Sequence, residues 1–512
     1  MLAAQIAECG LDAPKGHYTL EQCVARYVRP YYTRQGNLFA PTITKDIRSS
    51  FAQVSNAPFT AEQIYYGAFD IETSYALHKK LLQIGKQDDL LRIFELEFDF
   101  LKVLGDMELN GVYLDADKWL KTARSVEEKT AGIRKQLDEL EPINWDSPKQ
   151  AVVYLKGVGV DVLILDKKTG EIKESVGKIG LQKQTARFPI LNTYLEYKTL
   201  KKKAVAYGEK FLRHINPHTG RVHSSFMQIM RTGRTSSTSP NIQNITRGDV
   251  YRSAFMAEEG NTLVVADFSN QEMRVIADKS GDPNLIAAFK ANRDVHLETA
   301  KLTFDNPDLE KESEERQMAK SINFLAAFGG GASKLSESFG IALAKARSIL
   351  KMYFLAFPSL RAYFDAQGVL AKANGYVLCN PVSGRRSYIP FWNKYKKYQS
   401  YLTIAKAKGH DPHPKIVDDY SYYDAKIQRW SQNLPIQSTA ADISKRAGVL
   451  LRKYSKKIPF KIIIFAHDEW VLECPLEISQ TVSRILEKCC LEASREYTTH
   501  LDIPAKAIVS LT

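Results

Sequence analysis

The sequence predicts an α+β fold: a small sheet set among long helical stretches. Three observations predict it. Two apolar runs of strand length, TLVVA at 262–266 and KIIIFA at 461–466, each lead into an acidic residue. The second run continues through His467, Asp468 and Glu469 into WVLEC, which reads as a β-hairpin with its acids at the turn. The interval 290–450 between the two strands reads as mainly helical, with the glycines at 329–331 as punctuation.

Taken in order, residues 1–85 are mixed and make no complete domain. Residues 90–104 (LLRIFELEFDFLKVL) place apolar side chains at helical spacing, and MELNGVYLD at 107–115 breaks the pattern with an Asn-Gly turn. Residues 116–215 read as charged helices broken by Gly-rich stretches, one of them DKKTGEIKESVGK at 166–178. The Lys run closing YLEYKTLKKK at 194–203 fits a solvated helix face or a phosphate contact. After TLVVA and Asp267, a helical pattern starts at Asn270. An insertion-like segment at 394–422 is rich in Tyr, Lys and His; its His410 and His413 read as loop residues rather than metal ligands. No internal repeat is present.

At 512 residues the chain has room for roughly three to four domains or subdomains. Hydrophobic residues make up 44% of it, which excludes a disordered chain. A net charge of +13 favours a polyanionic partner, either nucleic acid or an acidic membrane surface. No apolar run reaches membrane-span length, and residues 1–10 lack a secretory signal's basic start and cleavage site, so nucleic acid is the expected partner. Six cysteines without a C-x-x-C pair suit a reducing compartment rather than a disulfide scaffold.

Asp267 and Asp468 each follow an apolar strand, 201 positions apart. Either alone reads as a turn residue. Brought within about 4 Å, two carboxylates repel by roughly 4 kcal/mol at an effective dielectric near 20. A divalent cation converts that cost into a binding site, and hard oxygen ligands suit Mg²⁺. Arg316, Lys320, Phe324 and Phe328 recur every fourth residue and span roughly 120° of a helix surface. Two cations followed by two rings match the charged tail, sugar and base of a nucleoside triphosphate.

These segments resemble a known family. ADFSNQEMR at 266–274, RQMAKSINFLAAFG at 316–329 and AHDEWVLE at 466–473 are similar to motifs A, B and C of family A DNA polymerases. Supporting matches keep the family's order: MELNGVYLD, TGRTSSTSPNIQNI at 232–245, SGDPNLIAAF with RDVH at 280–296, GYVLCNPVSGRRSYIP at 375–390 and RWSQNLPIQSTAADISKRA at 429–447. The resemblance covers about residues 90–512. It implies a right-hand polymerase with a thumb at 90–215, a palm at 216–290 and 428–512, and fingers at 291–427. It also implies two Mg²⁺ ions, replaceable by Mn²⁺, on Asp267, Asp468 and the Phe268 carbonyl, with Glu469 close by. Arg316, Lys320 and His296 would hold the triphosphate. Phe324 and Phe328 would meet the incoming nucleotide, and Glu272 would fill the space that a 2′-hydroxyl needs. Arg234, Asn241, Gln243, Arg429, Asn433, Gln437 and His467 would contact primer–template DNA.

The implied activity is template-directed DNA synthesis from deoxynucleoside triphosphates, away from membranes, in the cytoplasm or nucleoid, or in host cytoplasm for a viral chain. Two rivals are a single-subunit RNA polymerase, opposed by Glu272, and a non-catalytic DNA-binding module, opposed by the two acids with Arg316 and Lys320. The text departs from the family in having Phe328 for a usual Tyr, Asn270 for a usual Gln, and the longer 394–422 segment. At the front, the D-x-E of AFDIET at 68–73 resembles the first acidic motif of a 3′→5′ exonuclease, but polymerase-like text begins too soon after it. Tyr66 and Asp70 instead resemble that domain's Tyr-x-x-x-Asp motif, and residues 1–28 its middle. Residues 1–89 are therefore expected to be a partial α/β exonuclease-like segment without proofreading activity, packed on the palm or covered by a second chain, as in a split polymerase.

Overall fold

The computed structural model describes residues 1–13, 17–28, 49–51, 58–165, 171–245, 250–327 and 329–510. Phe328 and residues 166–170 of the Gly-rich stretch lie outside the described residues.

A four-stranded antiparallel sheet stands at the centre, in the order Lys461–Ala466, Glu469–Pro475, Asn261–Phe268, Ala505–Ser510. Alternation of side chains with period two sends its apolar residues to two cores. Ile462, Trp470, Leu472 and Val264 join the larger core with the helices Leu91–Asn110, Pro414–Ser455 and Ser479–Arg495. Ile463, Val471 and Leu263 face a second core built around Trp119, which stacks on Phe211 at 4.2 Å. With both faces covered, the Glu469–Pro475 strand is buried at every residue except its last. Gly448 allows the long helix to approach: a Cβ there would stand 2.5 Å from the Trp470 ring.

The Asn-Gly step ends a helix that runs six residues past Leu104, to Asn110; Gly111 takes the left-handed conformation at φ 57°. The expected charged helices appear as Ala116–Leu140, Pro148–Gly157 and Ile190–Tyr207. Between the two predicted strands lie helices including Val295–Phe304, Glu314–Ala327, Ala332–Phe339, Leu343–Ala356 and Pro358–Asn374, followed by a hairpin of Tyr376–Asn380 and Arg385–Tyr388. The insertion-like segment folds as the helix Trp392–Ala407 and the first turns of Pro414–Ser455. His410 and His413 are both exposed, and His413 caps the second helix by accepting from the Lys415 amide. All six cysteines are buried and unbridged. No helix among the described residues is long and apolar enough to cross a membrane.

The front segment differs from the α/β expectation. Its described residues form the helices Leu2–Ala7, Leu20–Tyr27 and Ala61–Gln87, with no strand among them. Ala4, Ile6, Cys23, Leu77 and Leu81 enter the larger core, and the Tyr388 amide donates to the Cys9 carbonyl at 2.7 Å. Asp70 and Glu72 therefore sit within a 27-residue helix, where Tyr66 and Asp70 lie one turn apart.

Four buried charges tie these parts together. Glu97, Arg385, Asp442 and Lys445 are each at most 2% exposed. Lys445 donates to both Glu97 carboxylate oxygens at 2.7 and 2.9 Å and to the Gln228 carbonyl at 3.0 Å. Arg385 bridges Glu97 and Asp442, whose second oxygen accepts from Asn380 at 2.9 Å and Ser383 at 2.7 Å. Burial disfavours the ionised Glu97, but Lys445 and Arg385 outweigh it and hold its carboxyl below the usual range. Removing one member strands its partners, so Arg385→Met should cost about 3–5 kcal/mol of unfolding free energy. A urea titration reads this as a lowered midpoint; a loss under ~1 kcal/mol would show that the cluster is not a support.

Candidate active site

Asp267 is the next-to-last residue of the strand Asn261–Phe268, so the acid expected just beyond the strand is held inside its ladder. Glu469 lies opposite Asp267 in register, and Asp468 immediately precedes it. The Phe268 amide donates to the Asp468 carbonyl at 3.2 Å, extending the pairing by one step. His467 makes this turn possible by adopting φ 59°, and it is exposed there. Two strand ends thus carry Asp267 and Asp468 side by side, both half-buried. The neighbouring Glu469 is buried and ion-paired with Arg252, a residue that sequence reasoning did not single out. Among the described residues no three His, Cys, Asp or Glu side chains gather into a metal-holding group. The chain's own contribution is a pair of hard carboxylates. Such a pair fits Mg²⁺, which binds through one or two carboxylates and completes its shell with waters and substrate phosphates.

Asn270, three residues beyond Asp267, lines a cleft of about 660 Å³ together with Asp294, His296, Arg316, Lys320 and Phe324, among others. The helix Glu314–Ala327 turns Ala319, Ile322, Asn323 and Ala326 inward and leaves Arg316, Lys320 and Phe324 on the cleft side, as their four-residue spacing predicts. Asp294 was not foreseen as a site residue. It caps the helix Val295–Phe304 by accepting from the His296 and Leu297 amides, and it holds Arg316 through bonds of 3.0 and 2.6 Å. Burial opposes the ionised Asp294, yet the Arg316 hydrogen bonds and charge together with the two amides keep its carboxyl below the usual range. Its sequence signal was present in RDVH: an Asp just before a helical run is an N-cap.

Asn323 was also missed. Fully buried, it donates to Nδ1 of His296 at 3.0 Å and to Thr299 at 3.1 Å, which leaves the imidazole hydrogen on Nε2. Burial pushes the His296 pKa down to about 4, with Arg316 and Lys320 adding to the fall and Asp294 opposing it. The Phe324 ring lies 6.0 Å from the imidazole.

Glu272, on the helix Gln271–Ser280, pairs with Arg234. Arg234, Asn241, Gln243 and His467 line a second cleft, next to Lys445 and Ala441. Asn241 is exposed, and its carbonyl accepts from Ser237 at 3.1 Å and the Asn244 amide at 3.2 Å. Gln243 is buried, and its amide group donates to Thr235 at 2.9 Å and the Phe465 carbonyl at 2.7 Å. Both of its amide hydrogens are spent inside the protein, which fixes Gln243 in the cleft wall. Arg429 is exposed, while Asn433 and Gln437 are half-buried. They follow one another every fourth residue along Pro414–Ser455, and the next step is Ala441 at the cleft.

A family model described as DNA polymerase family A matches residues 116–511. The thermostable DNA polymerase I of Thermus aquaticus is 33% identical over 402 residues, which cover 77% of this chain and 45% of that protein. DNA polymerase I of Bacillus subtilis is 32% identical over 443 residues, covering 84% of this chain and 46% of that protein. The chain thus spans less than half the length of these curated relatives. A solved structure titled as the POL domain of Pol1 from M. smegmatis in complex with DNA primer-template and dNTP superposes with a TM-score of 0.81 at 23% identity. That match covers 99% of this chain and 80% of the other, and it shows that the fold is shared. With the family model matching more than three quarters of its length, the chain belongs to DNA polymerase family A.

Proposed function

We propose that this chain is a DNA-directed DNA polymerase that extends a primer 3′ end with deoxynucleoside triphosphates. The observation that carries this reading is the register that sets Asp267 opposite Glu469, with Asp468 one residue before it, and the nearby cleft lined by Arg316, Lys320 and His296. Asn270, three residues beyond Asp267, already lines that cleft. The reaction is attack of the primer 3′-oxygen on the α-phosphate, with release of pyrophosphate. Divalent ions, Mg²⁺ or Mn²⁺, held by Asp267 and Asp468 would supply charge neutralisation at the attacking and leaving oxygens.

The chain's own residues bind and orient. Arg316 would exchange Asp294 for the triphosphate, with Lys320 and the His296 Nε2–H as further donors. Phe324 would pack on the sugar. Glu272 would occupy the 2′ space while Arg234 holds its charge. Arg234, Asn241, Arg429, Asn433, Gln437 and His467 would meet primer–template DNA in the minor groove or on the backbone, where acceptors recur in every base pair. Glu272 opposes an RNA polymerase, and the two acids with Arg316 and Lys320 oppose a non-catalytic module.

Primer extension in Mg²⁺ with deoxy- and ribonucleotides tests this directly. Asp267→Ala and Asp468→Ala should each leave under about 1% of the extension rate, because each removes one of the two carboxylates that would hold the charge-neutralising ions. Duplex affinity, which rests on many phosphate contacts, should hold. Glu272→Ala should admit ribonucleotides. Retained extension in either acid variant, or wild-type preference for ribonucleotides, would overturn the assignment.

The imidazole makes a separate claim. A histidine NMR titration of the nucleotide-free chain should place the His296 midpoint at about 4 rather than 6.5. The folded chain keeps this ring neutral where the unfolded chain would charge it. His296 therefore withdraws stability as the pH falls from 6.5 toward 4. A midpoint at or above 6.5 would mean that the ring does not sit buried among cations.

We also propose that this chain alone does not proofread, since a two-metal exonuclease site needs an acidic cluster and Asp70, one candidate acid, lies within the Ala61–Gln87 helix. A mismatched, 3′-labelled primer incubated with Mg²⁺ and no nucleotide should stay full length. Shortening that survives Asp267→Ala and disappears in Asp70→Ala would refute it.

A further inference from the structure

The helix Pro414–Ser455 carries the expected DNA-facing residues Arg429, Asn433 and Gln437, and its N-terminal turns belong to the insertion-like segment. At 100° per residue, Tyr422, Lys426 and Trp430 fall within the same roughly 100° arc as those three, so the stripe extends to about 22 Å along one face. Its outer half changes character, from amides to cations and rings. Lys426 lies over Phe391, Tyr422 and Trp430 at 4.6, 5.6 and 5.3 Å, and Arg231 covers Trp430 at 4.3 Å.

The helix Trp392–Ala407 packs alongside, with Tyr395 stacked on Tyr420 at 5.3 Å. Its opposite face presents Lys394, Lys397, Tyr401 and Ile404, continued by Lys408, within a roughly 80° arc, and all five are exposed. Lys394 joins the two faces, lying over Tyr398 and Tyr423. Residues 392–430 carry eight Lys and Arg against four Asp. Two of those acids are already engaged: Asp419 by Tyr398, and Asp424 by Tyr395 and by Lys372 of the helix Pro358–Asn374. Cations alternating with partly exposed rings are the composition that tracks a single nucleic-acid strand, with phosphates on the cations and bases on the rings.

We propose that this helical pair is a docking track for the single-stranded 5′ overhang of the template. The proposal rests on the polymerase reading above and adds a site to it. Continuity decides the occupant: on the long helix Tyr422, Lys426 and Trp430 share one arc with Arg429, Lys394 links that helix to its neighbour through Tyr423, and Gly329, just past the Arg316–Phe324 helix, packs against the Arg429 backbone. The strand leaving the templating position is therefore the one within reach.

The test compares fluorescence anisotropy of primer–templates with a one-nucleotide and an about 12-nucleotide 5′ overhang, a length within the span of known single-strand sites. Wild type should bind the long overhang at least about tenfold more tightly, the size of one base stack. The triple variant Lys397→Glu, Tyr401→Ser, Lys408→Glu should lose that gain while keeping its short-overhang affinity, single-nucleotide extension and melting temperature. Tyr401→Phe, which retains the ring, should keep the gain. Equal wild-type affinity for both overhangs, with extension intact, overturns the track alone. So does a triple variant that keeps the gain, one that weakens both DNAs alike, or one whose measurable change is in self-association or binding to anionic vesicles. Failure of wild type to bind either DNA would instead overturn the polymerase reading itself.

Discussion

The architecture depends on a compensated set of charges taken out of water. Glu97, Arg385, Asp442 and Lys445 come from a helix, a hairpin and the long 414–455 helix, and they satisfy one another where no solvent can. Desolvating four charges is costly, so the arrangement is worth little unless every member is held in place. That requirement is what it imposes on the fold. Gly233 sits directly against the Arg385 guanidinium, where a Cβ would stand 2.8 Å away, and adopts φ 76°. Arg234 follows at once, and Arg234 holds Glu272. The cleft wall and Glu272 are therefore tied, through Gly233 and Arg234, to the buried cluster.

The site combines two kinds of support. Asp267 and Asp468 are fixed by backbone pairing, which no side-chain rotation can undo. Arg316 and Glu272 are each held by an ion pair, which an incoming group of the same charge as the partner can replace. Arg252 adds a third ion pair at the strand ends, on Glu469, the acid that stands opposite Asp267 in the ladder.

Much of this was readable in the chain. The strand runs, the Asn-Gly stop and the four-residue spacing of Arg316, Lys320 and Phe324 are local patterns, and local patterns survive translation into sequence. What escaped reading is non-local. Glu97, Asp442 and Lys445 look like surface charges in their segments, because nothing nearby in the chain announces burial. Arg385, within a recognisable GRR, gives no sign of where its guanidinium goes. Asn323 seemed an inert position between two predicted contacts, and only the approach of His296 from another helix gives it a purpose. Nor does the sequence announce that the Gln243 amide group donates to the distant Phe465 carbonyl.

The pairing of the Asn261–Phe268 and Glu469–Pro475 strands has an evolutionary consequence. The two acids stand at neighbouring strand ends, so the chain from 269 to 460 is, for the sheet, a single excursion that leaves at the acid end and re-enters at Lys461, level with Leu263 at the other. The entropic cost of such an excursion grows only as the logarithm of its length. A lineage can lengthen it by a helix the size of Trp392–Ala407 with its neighbouring turns and leave the acids where they were. Descendants of one ancestral core can diverge in how they grip and follow a strand while inheriting the same reaction.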